Sequence, residues 1–393
     1  MSRSTKRSIY ILIFGNFLVC LAIGLVIPVT PFIKNTYGYT TTQMGLMSSL
    51  FAFAQFIASP IVGRISDKIG RKPVMVTGLA LFMVSEIIFA LANHLFWFDV
   101  SRIIGGLSAA MFVPTSMAMA ADLTNSLQRA KVIGWISAAF SGGLILGPGI
   151  GGMLASITYK TPFWVAASLG LASTIFTLIF LPNVVPKKDD EEEYASHKKA
   201  KISSILTFPM VILFFMILVS AFGLQGFESI YSIYVNQVFK FTLNTIALVL
   251  TLNGIISLFL QVILFDRLVR KIGEVNLIAV CFLLSALCVG WITIAQTQIE
   301  VIVATLVIFS AFDLLRPAIT TLLTKFGKTN QGLINGLNMS LTSVGNVIGP
   351  IMSGMLMDMN THYPYQIAAI ILLISFLITL FVRKVIHTEE LAN

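Results

Sequence analysis

Of 393 residues, 56% are hydrophobic and only 11% are charged, with a formal net charge of +9 and a mean hydropathy of +0.90. A water-soluble globular domain carries roughly 25% charged residues, so this composition excludes an ordinary soluble fold and points to a chain that lives in lipid. The basic balance could also suit nucleic acid, but the positions of the charges, given below, assign it to membrane topology.

Lipid leaves backbone amides and carbonyls without water, so long apolar runs there must close their hydrogen bonds internally, as helices do. About 20 apolar residues make one crossing. In chain order such runs lie near 8–33, 44–62, 74–93, 96–121, 131–155, 163–182, 207–235, 243–264, 276–296, 301–323, 331–356 and 365–382. These predict twelve spanning helices, and an all-α integral membrane protein. The basic start "MSRSTKRS" is not read as a cleavable signal, because the run after it has spanning length and no small-residue cleavage site interrupts it. Cys20, Cys281 and Cys288 fall inside predicted spans and read as small apolar filler. His94, His197, His362 and His387 are scattered, so neither a metal centre nor a cofactor is expected.

Basic loops stay on the cytoplasmic side. Numbering loops from the N-terminus, 21 of the 26 Lys and Arg residues fall on one side, and Lys34, Lys160 and Lys240 on the other. Arg102 and Arg316 remain inside spans. Both termini are therefore expected in the cytoplasm, which requires an even number of spans and supports twelve independently of hydropathy. The partners that follow are the lipid bilayer and small molecules, not nucleic acid, and the chain is read as a monomer.

One long polar stretch, "PKKDDEEEYASHKKAKISS" from Pro186 to Ser204, interrupts the spans and reads as a solvated linker. The expected organisation is a six-helix bundle over 1–183, a cytoplasmic linker over 184–206 and a second bundle over 207–393. The halves repeat internally. "GWISAAFSGGLILGPGIGGML" in the fifth span aligns with "GLNMSLTSVGNVIGPIMSGML" in the eleventh, with Gly134 and Gly336, Gly147 and Gly349, Pro148 and Pro350, and Gly152 and Gly354 each 202 apart. "KIG" recurs 203 residues apart. Duplicated six-helix halves are the pattern of transporters that carry a midplane site between rocking halves.

The loop after the second span reads "GRISDKIGRKPV". Its Gly63, Asp67, Gly70, Arg71 and Lys72 resemble the G-x-x-x-D-x-x-G-R-K signature of the major facilitator superfamily, a latch that closes the cytoplasmic side; the second-half counterpart carries Arg270 in place of the aspartate. "GLILGPGIGG", with Gly143, Gly147, Pro148, Gly151 and Gly152, resembles the motif of that superfamily's drug:proton antiporters. "LAIGLVIPVTP" and "SRIIGGLSA" resemble its first-span and fourth-span motifs. Over essentially its whole length the chain is similar to the NorA/Bmr group of Gram-positive multidrug exporters, through "GLVIPVTP", "VSEIIFA", "FESIYSIY" and "FDLLRPAIT" as well. The resemblance implies the superfamily fold, two pseudo-symmetric six-helix bundles, in a Gram-positive cell membrane, and proton-driven antiport of amphipathic, often cationic, drugs.

Carboxylates inside spans are costly, about 2.5–3.5 kcal/mol near the bilayer centre, so they face the protein interior and serve function. Asp313 lies about 12 residues, hence about 18 Å, into its span. Phe309 and Arg316 share its helix face, and Tyr231 follows Glu228 at helical spacing. A protonated acid is cheap to bury, whereas an ionised one attracts a cation, so one group can hold a proton or a cationic drug. The resemblance places proton coupling on Glu228 and Asp313; the residues alone also allow Asp313 simply to pair with Arg316. Arg102, in the fourth span, is a candidate for proton relay or gating, and Glu86 is open between function and a structural hydrogen bond. Asp122 is expected near Arg71, and Asp99 at the interface. Candidate drug contacts are Phe51, Gln55, Phe140, Ser141, Phe227, Tyr231, Phe309, Arg316 and Asn346. Five of these, Phe51, Gln55, Phe309, Arg316 and Asn346, fall where the resemblance places pocket residues. Ser141 and Cys20 depart from the group's expected side chains, so substrate preference is expected to differ. A specific metabolite exporter is the main alternative; no nucleotide-binding loop and no catalytic cluster supports an enzyme.

Overall fold

A computed structural model describes residues 3–124, 126–183, 208–326 and 331–392. The expected linker over 184–206 lies outside the described residues. Among the described residues every regular element is helical, and the helices join into twelve rods. They are α1 (Arg3–Val26) continuing through a 3₁₀ turn at Ile27–Val29 into α2 (Thr30–Tyr37); α3 (Thr41–Ile69); α4 (Arg71–Leu91); α5 (Leu95–Asp122); α6 (Ser126–Ala155); and α7 (Thr161–Phe180). The second set is α8 (Phe208–Phe239); α9 (Leu243–Phe259) continuing through a π-helical segment, Leu260–Leu264, into α10 (Phe265–Ile272); α11 (Glu274–Ile292); α12 (Gln298–Phe326); α13 (Gln331–Met359); and α14 (Tyr363–Ala392).

Eleven rods are long and apolar enough to cross a membrane. The eleventh expected span, α13, has the length, but Asn335, Asn338, Ser340, Thr342, Ser343 and Asn346 dilute its apolar character. Its helicity rests on packing and not on hydropathy. The breaks between rods have local causes. The 3₁₀ turn begins where Pro28 removes an amide donor. Gly70 and Gly273, at φ 98° and 79°, end α3 and α10 in a backbone region that side chains disfavour.

The start of α3 is capped from two sources. Thr40 and Gln43 form a reciprocal capping box, Thr40 N–H donating to Gln43 Oε1 at 2.9 Å and Gln43 N–H to Thr40 Oγ1 at 3.2 Å. The next two amides, of Thr41 and Thr42, donate to the Asp358 carboxylate at 2.7 Å each, and the Thr42 hydroxyl adds a third bond at 2.6 Å. Asp358 ends α13, beyond the predicted span. Burial pulls its carboxyl up, but the Thr42 hydroxyl and amide and the Thr41 amide outweigh that and hold it below the usual carboxylate range.

The chain forms two compact units. One comprises the described residues of Met1–Tyr39, Leu50–Asp190 and Phe241–Gly254, the other those of Thr40–Ser49, Glu191–Lys240 and Ile255–Asn393. In the first, Ile9, Leu12, Val19, Met75, Leu79, Phe112 and Met119 make a buried apolar core between α1, α4 and α5. Glycines set the closest crossings. A Cβ on Gly147 of α6 would stand 2.5 Å from the Gly24 Cα of α1, so the two backbones touch. In the second unit Gly349 of α13 meets Gly226 of α8 in the same way, a Cβ there lying 3.0 Å from the Gly226 amide. Gly24 and Gly226 are themselves 202 apart, the same interval as Gly147 and Gly349. The sequence repeat is thus a repeat of contacts. Many large apolar side chains stay exposed on the helix faces, among them Phe96, Met153, Val262, Ile263 and Leu377, as a lipid-facing surface requires.

Candidate functional site

Glu228 and Asp313 stand on α8 and α12, which pack together in the second unit. Both are half-buried, and Asp313 is near enough for its charge to act on Glu228. Neither has an ion-pair partner among the described residues. Arg316 shares the helix face of Asp313 but forms no ion pair with it, and its side chain is exposed. The polar neighbour of Asp313 is instead Ser257 of α9, whose hydroxyl also accepts from Gln261 Nε2 at 2.9 Å. Gln261 sits in the π-helical segment, which packs on α12. Such segments leave backbone groups irregularly paired and recur at functional positions.

Beside the two acids is an aromatic cluster. Phe309 meets Phe227 and Tyr231 edge-on, with ring centroids 5.3 and 5.8 Å apart, and Phe227 lies 4.9 Å from Tyr365. Phe227, Tyr231 and Phe309 are 2%, 0% and 4% exposed, so these three candidate drug contacts face one another here and not solvent. Asn346, on α13, is half-buried. The remaining candidates belong to the first unit. The Phe51 ring on α3 faces Gly105 of α5, where a Cβ would lie 3.3 Å from it, and the backbone from Phe51 to Gln55 runs against Gly106. Phe140 and Ser141 are half-buried on α6.

Arg102 has a partner that sequence reasoning left open. Its Nη2 donates to Glu86 Oε1 at 3.2 Å, and its guanidinium lies 4.4 Å from the centroid of the Phe89 ring. Ser85 and Ser101 bind each other's carbonyls at 2.8 and 2.9 Å beside it. The α4–α5 contact is therefore sewn by a buried ion pair and two reciprocal hydroxyl bonds, while Glu86 Oε2 and Arg102 Nε keep unused capacity.

The loop motif is built around Arg71, which is 7% exposed. Its guanidinium donates to Asp67, to Ser66 Oγ at 2.7 Å and to Asp122 Oδ2 at 2.9 Å. Gly70 makes the turn, a Cβ there colliding with Asn183 at 2.5 Å. Gly63 is helical with open space around it, and Lys72 is half-buried. In the Gly-Pro motif, Gly143, Gly147 and Gly151 face the α1 backbone, Pro148 is buried, and Gly152 turns to Ala247 of α9. Sequence reasoning did not find Ser257, Thr305, Tyr234, Tyr365 or Asp358. Only Tyr234 left a signal, two turns beyond Glu228 in "FESIYSIY".

Known proteins agree with this architecture. Multidrug resistance protein 1 of Bacillus subtilis (strain 168) is 39% identical over 379 residues, covering 96% of this chain and 97% of that protein. Quinolone resistance protein NorA of Staphylococcus aureus (strain MRSA252) is 35% identical over 363 residues, covering 92% and 93%. Among solved structures, a bacterial homolog of the human lysosomal transporter Spinster, in an inward-facing and occupied conformation, superposes with a TM-score of 0.79 at 14% identity, covering 98% of each chain. The nucleoside transporter NupG gives 0.76 at 14% identity, covering 98% of this chain and 99% of that one. The twelve-rod fold and the matches to the superfamily's sequence pattern over residues 12–312 and 213–392 lead to one conclusion: this multi-span membrane protein belongs to the Major Facilitator Superfamily.

Proposed function

We propose that the chain exports amphipathic, often cationic, drugs in exchange for protons, with Glu228 and Asp313 as the groups that bind either. The observation that carries the reading is the pair of acids on adjoining helices, within electrostatic reach of each other and without cationic partners among the described residues. The names of the relatives, multidrug and quinolone resistance proteins, supply the cargo class.

In this reading the ionised pair attracts a cationic drug from the cytoplasmic side. The chain then opens outward, external protons neutralise the acids, and the drug leaves. The protonated carrier returns and releases its protons inside, with the membrane potential adding about 2.3 kcal/mol per net charge per 100 mV. The basic loops and both termini lie in the cytoplasm, Arg102 bears on coupling through its bond to Glu86, and the Arg71 cluster serves as the inner latch. Phe51, Gln55, Phe140, Ser141, Asn346 and Arg316 contact drug, and the Phe227–Tyr231–Phe309 cluster opens to it.

The test is ethidium efflux from cells, with and without a protonophore, for wild type, Glu228→Gln and Asp313→Asn. Gradient-driven efflux is expected to be lost in both variants at unchanged surface expression. Wild-type rates in both would overturn the site. Transport of a metabolite but of no drug would turn the reading to the metabolite exporter.

A further inference from the structure

One group of polar side chains lies between the acid pair and the loop joining α13 to α14. His362 of that loop is half-exposed, and its Nδ1 stands 2.8 Å from the hydroxyl of Tyr234 on α8. The Tyr234 ring meets the Tyr365 ring of α14 edge-on, with centroids 4.5 Å apart. Tyr365 in turn adjoins Tyr231, and Tyr231 adjoins Thr305 of α12. The hydroxyls of Tyr231, Thr305 and Tyr365 are all buried, and none makes a well-formed hydrogen bond among the described residues, although Tyr231 and Thr305 lie near enough to interact.

Buried hydroxyls without well-formed hydrogen bonds are costly, up to about 1–3 kcal/mol each, and packing alone would be served as well by Phe and Val. Their placement is directional. Along α8 the order from the loop is Tyr234, Tyr231, Glu228, at intervals of three. Along α12 it is Thr305, Phe309, Asp313, at intervals of four. Both series step one helical turn at a time from the His362 end toward the acids. With the basic loops in the cytoplasm, the His362 end is the outer one.

We propose that His362, Tyr234, Tyr365, Tyr231 and Thr305 form the outer proton port that serves Glu228 and Asp313. This rests on the acid pair being the proton-binding site. A proton from external water binds Nε2 of the imidazole, whose Nδ1 faces the Tyr234 hydroxyl. The imidazolium passes a proton to the Tyr234 oxygen as the Tyr234 hydroxyl gives its own onward. Each later hydroxyl, with water between them, gains one proton as it loses one. The last proton neutralises a carboxylate of the pair, His362 returns to its neutral form, and no hydroxyl keeps a charge. A water between these hydroxyls would supply the hydrogen bonds that Tyr231, Thr305 and Tyr365 do not make among the described residues.

The experiment uses the full chain in proteoliposomes with ethidium as probe, for His362→Ala, Tyr234→Phe and Tyr365→Phe, with Glu228→Gln and Asp313→Asn alongside. Three readouts are taken: transport driven by a pH gradient, ethidium exchange without a gradient, and ethidium binding. His362→Ala and Tyr234→Phe are expected to slow gradient-driven transport at least about tenfold while leaving exchange and binding within about twofold. Imidazole supplied on the outer face is expected to restore His362→Ala. Wild-type gradient-driven rates in all three port variants, with the acid variants inactive, would overturn the port and leave the acid pair standing. Wild-type rates in the acid variants would overturn the acid pair and the port with it. Joint loss of exchange, binding and transport without imidazole rescue would assign these side chains to structure and overturn the port.

Discussion

Removing the carboxylate of Asp358 tests how the first turn of α3 is held. The wild-type side chain accepts two backbone amides at 2.7 Å and one hydroxyl at 2.6 Å. A hydrogen bond to a charged group contributes about 1.5–3 kcal/mol in a sheltered setting. Asp358 is exposed, so solvent screens these bonds, and the capping box from Thr40 and Gln43 survives its removal. The comparable loss of a helix N-cap costs about 0.5–2 kcal/mol, and we expect Asp358→Asn to destabilise the fold by about 1–2 kcal/mol. Asparagine keeps one acceptor but turns an NH₂ toward donors. The pH dependence follows from the lowered carboxyl. Its stabilisation is fully present above the unfolded value of about 3.9 and is lost as pH falls through the lower folded value. Thermal unfolding of wild type and variant in detergent should therefore show a constant gap from about pH 8 to about pH 5 that closes in stronger acid. No gap at neutral pH, or a gap that grows as pH falls, refutes the reasoning.

Two further outcomes follow from buried contacts. Glu86→Gln should cost about 3–5 kcal/mol, because it strands the Arg102 charge between α4 and α5. Adding Arg102→Met should recover much of that loss, and a double-mutant cycle by chemical denaturation measures the coupling. Gly147→Val should destabilise by more than about 3 kcal/mol, since even its Cβ would stand 2.5 Å from Gly24 Cα; folded yield and unfolding temperature check it.

How far the sequence could be read depended on how local each cause was. Apolar runs of spanning length placed all twelve rods, because lipid imposes the same demand on each of them. The run that became α13 was among them despite its polar residues, and the glycine repeat it shares with α6 supports it separately. Arg71 and Asp122 could be matched because both lie at loop edges where a buried cation needs acids. The Glu86–Arg102 pair could not, since helical phase alone does not say which faces of two neighbouring helices meet. Ser257 and the π-helical segment gave no pattern at all; their effect on Asp313 exists only once α9 and α12 are packed. The same holds for Asp358, whose partners are backbone amides 316 and 317 residues away and carry no sequence signature.

The paired glycine crossings have a mechanical consequence. Most packed helices mesh like gear teeth, ridges of side chains seated in grooves, and turning one against the other requires lifting every tooth. At Gly24 with Gly147, and again at Gly226 with Gly349, the toothed surface is absent and bare main chain rests on main chain. Each crossing works as a smooth bearing. A helix can roll or tilt there by small angles without a rotamer change, so the first rod can pivot against the fifth within one unit, and the seventh against the eleventh within the other. Grit in either bearing, even one methyl group, jams it.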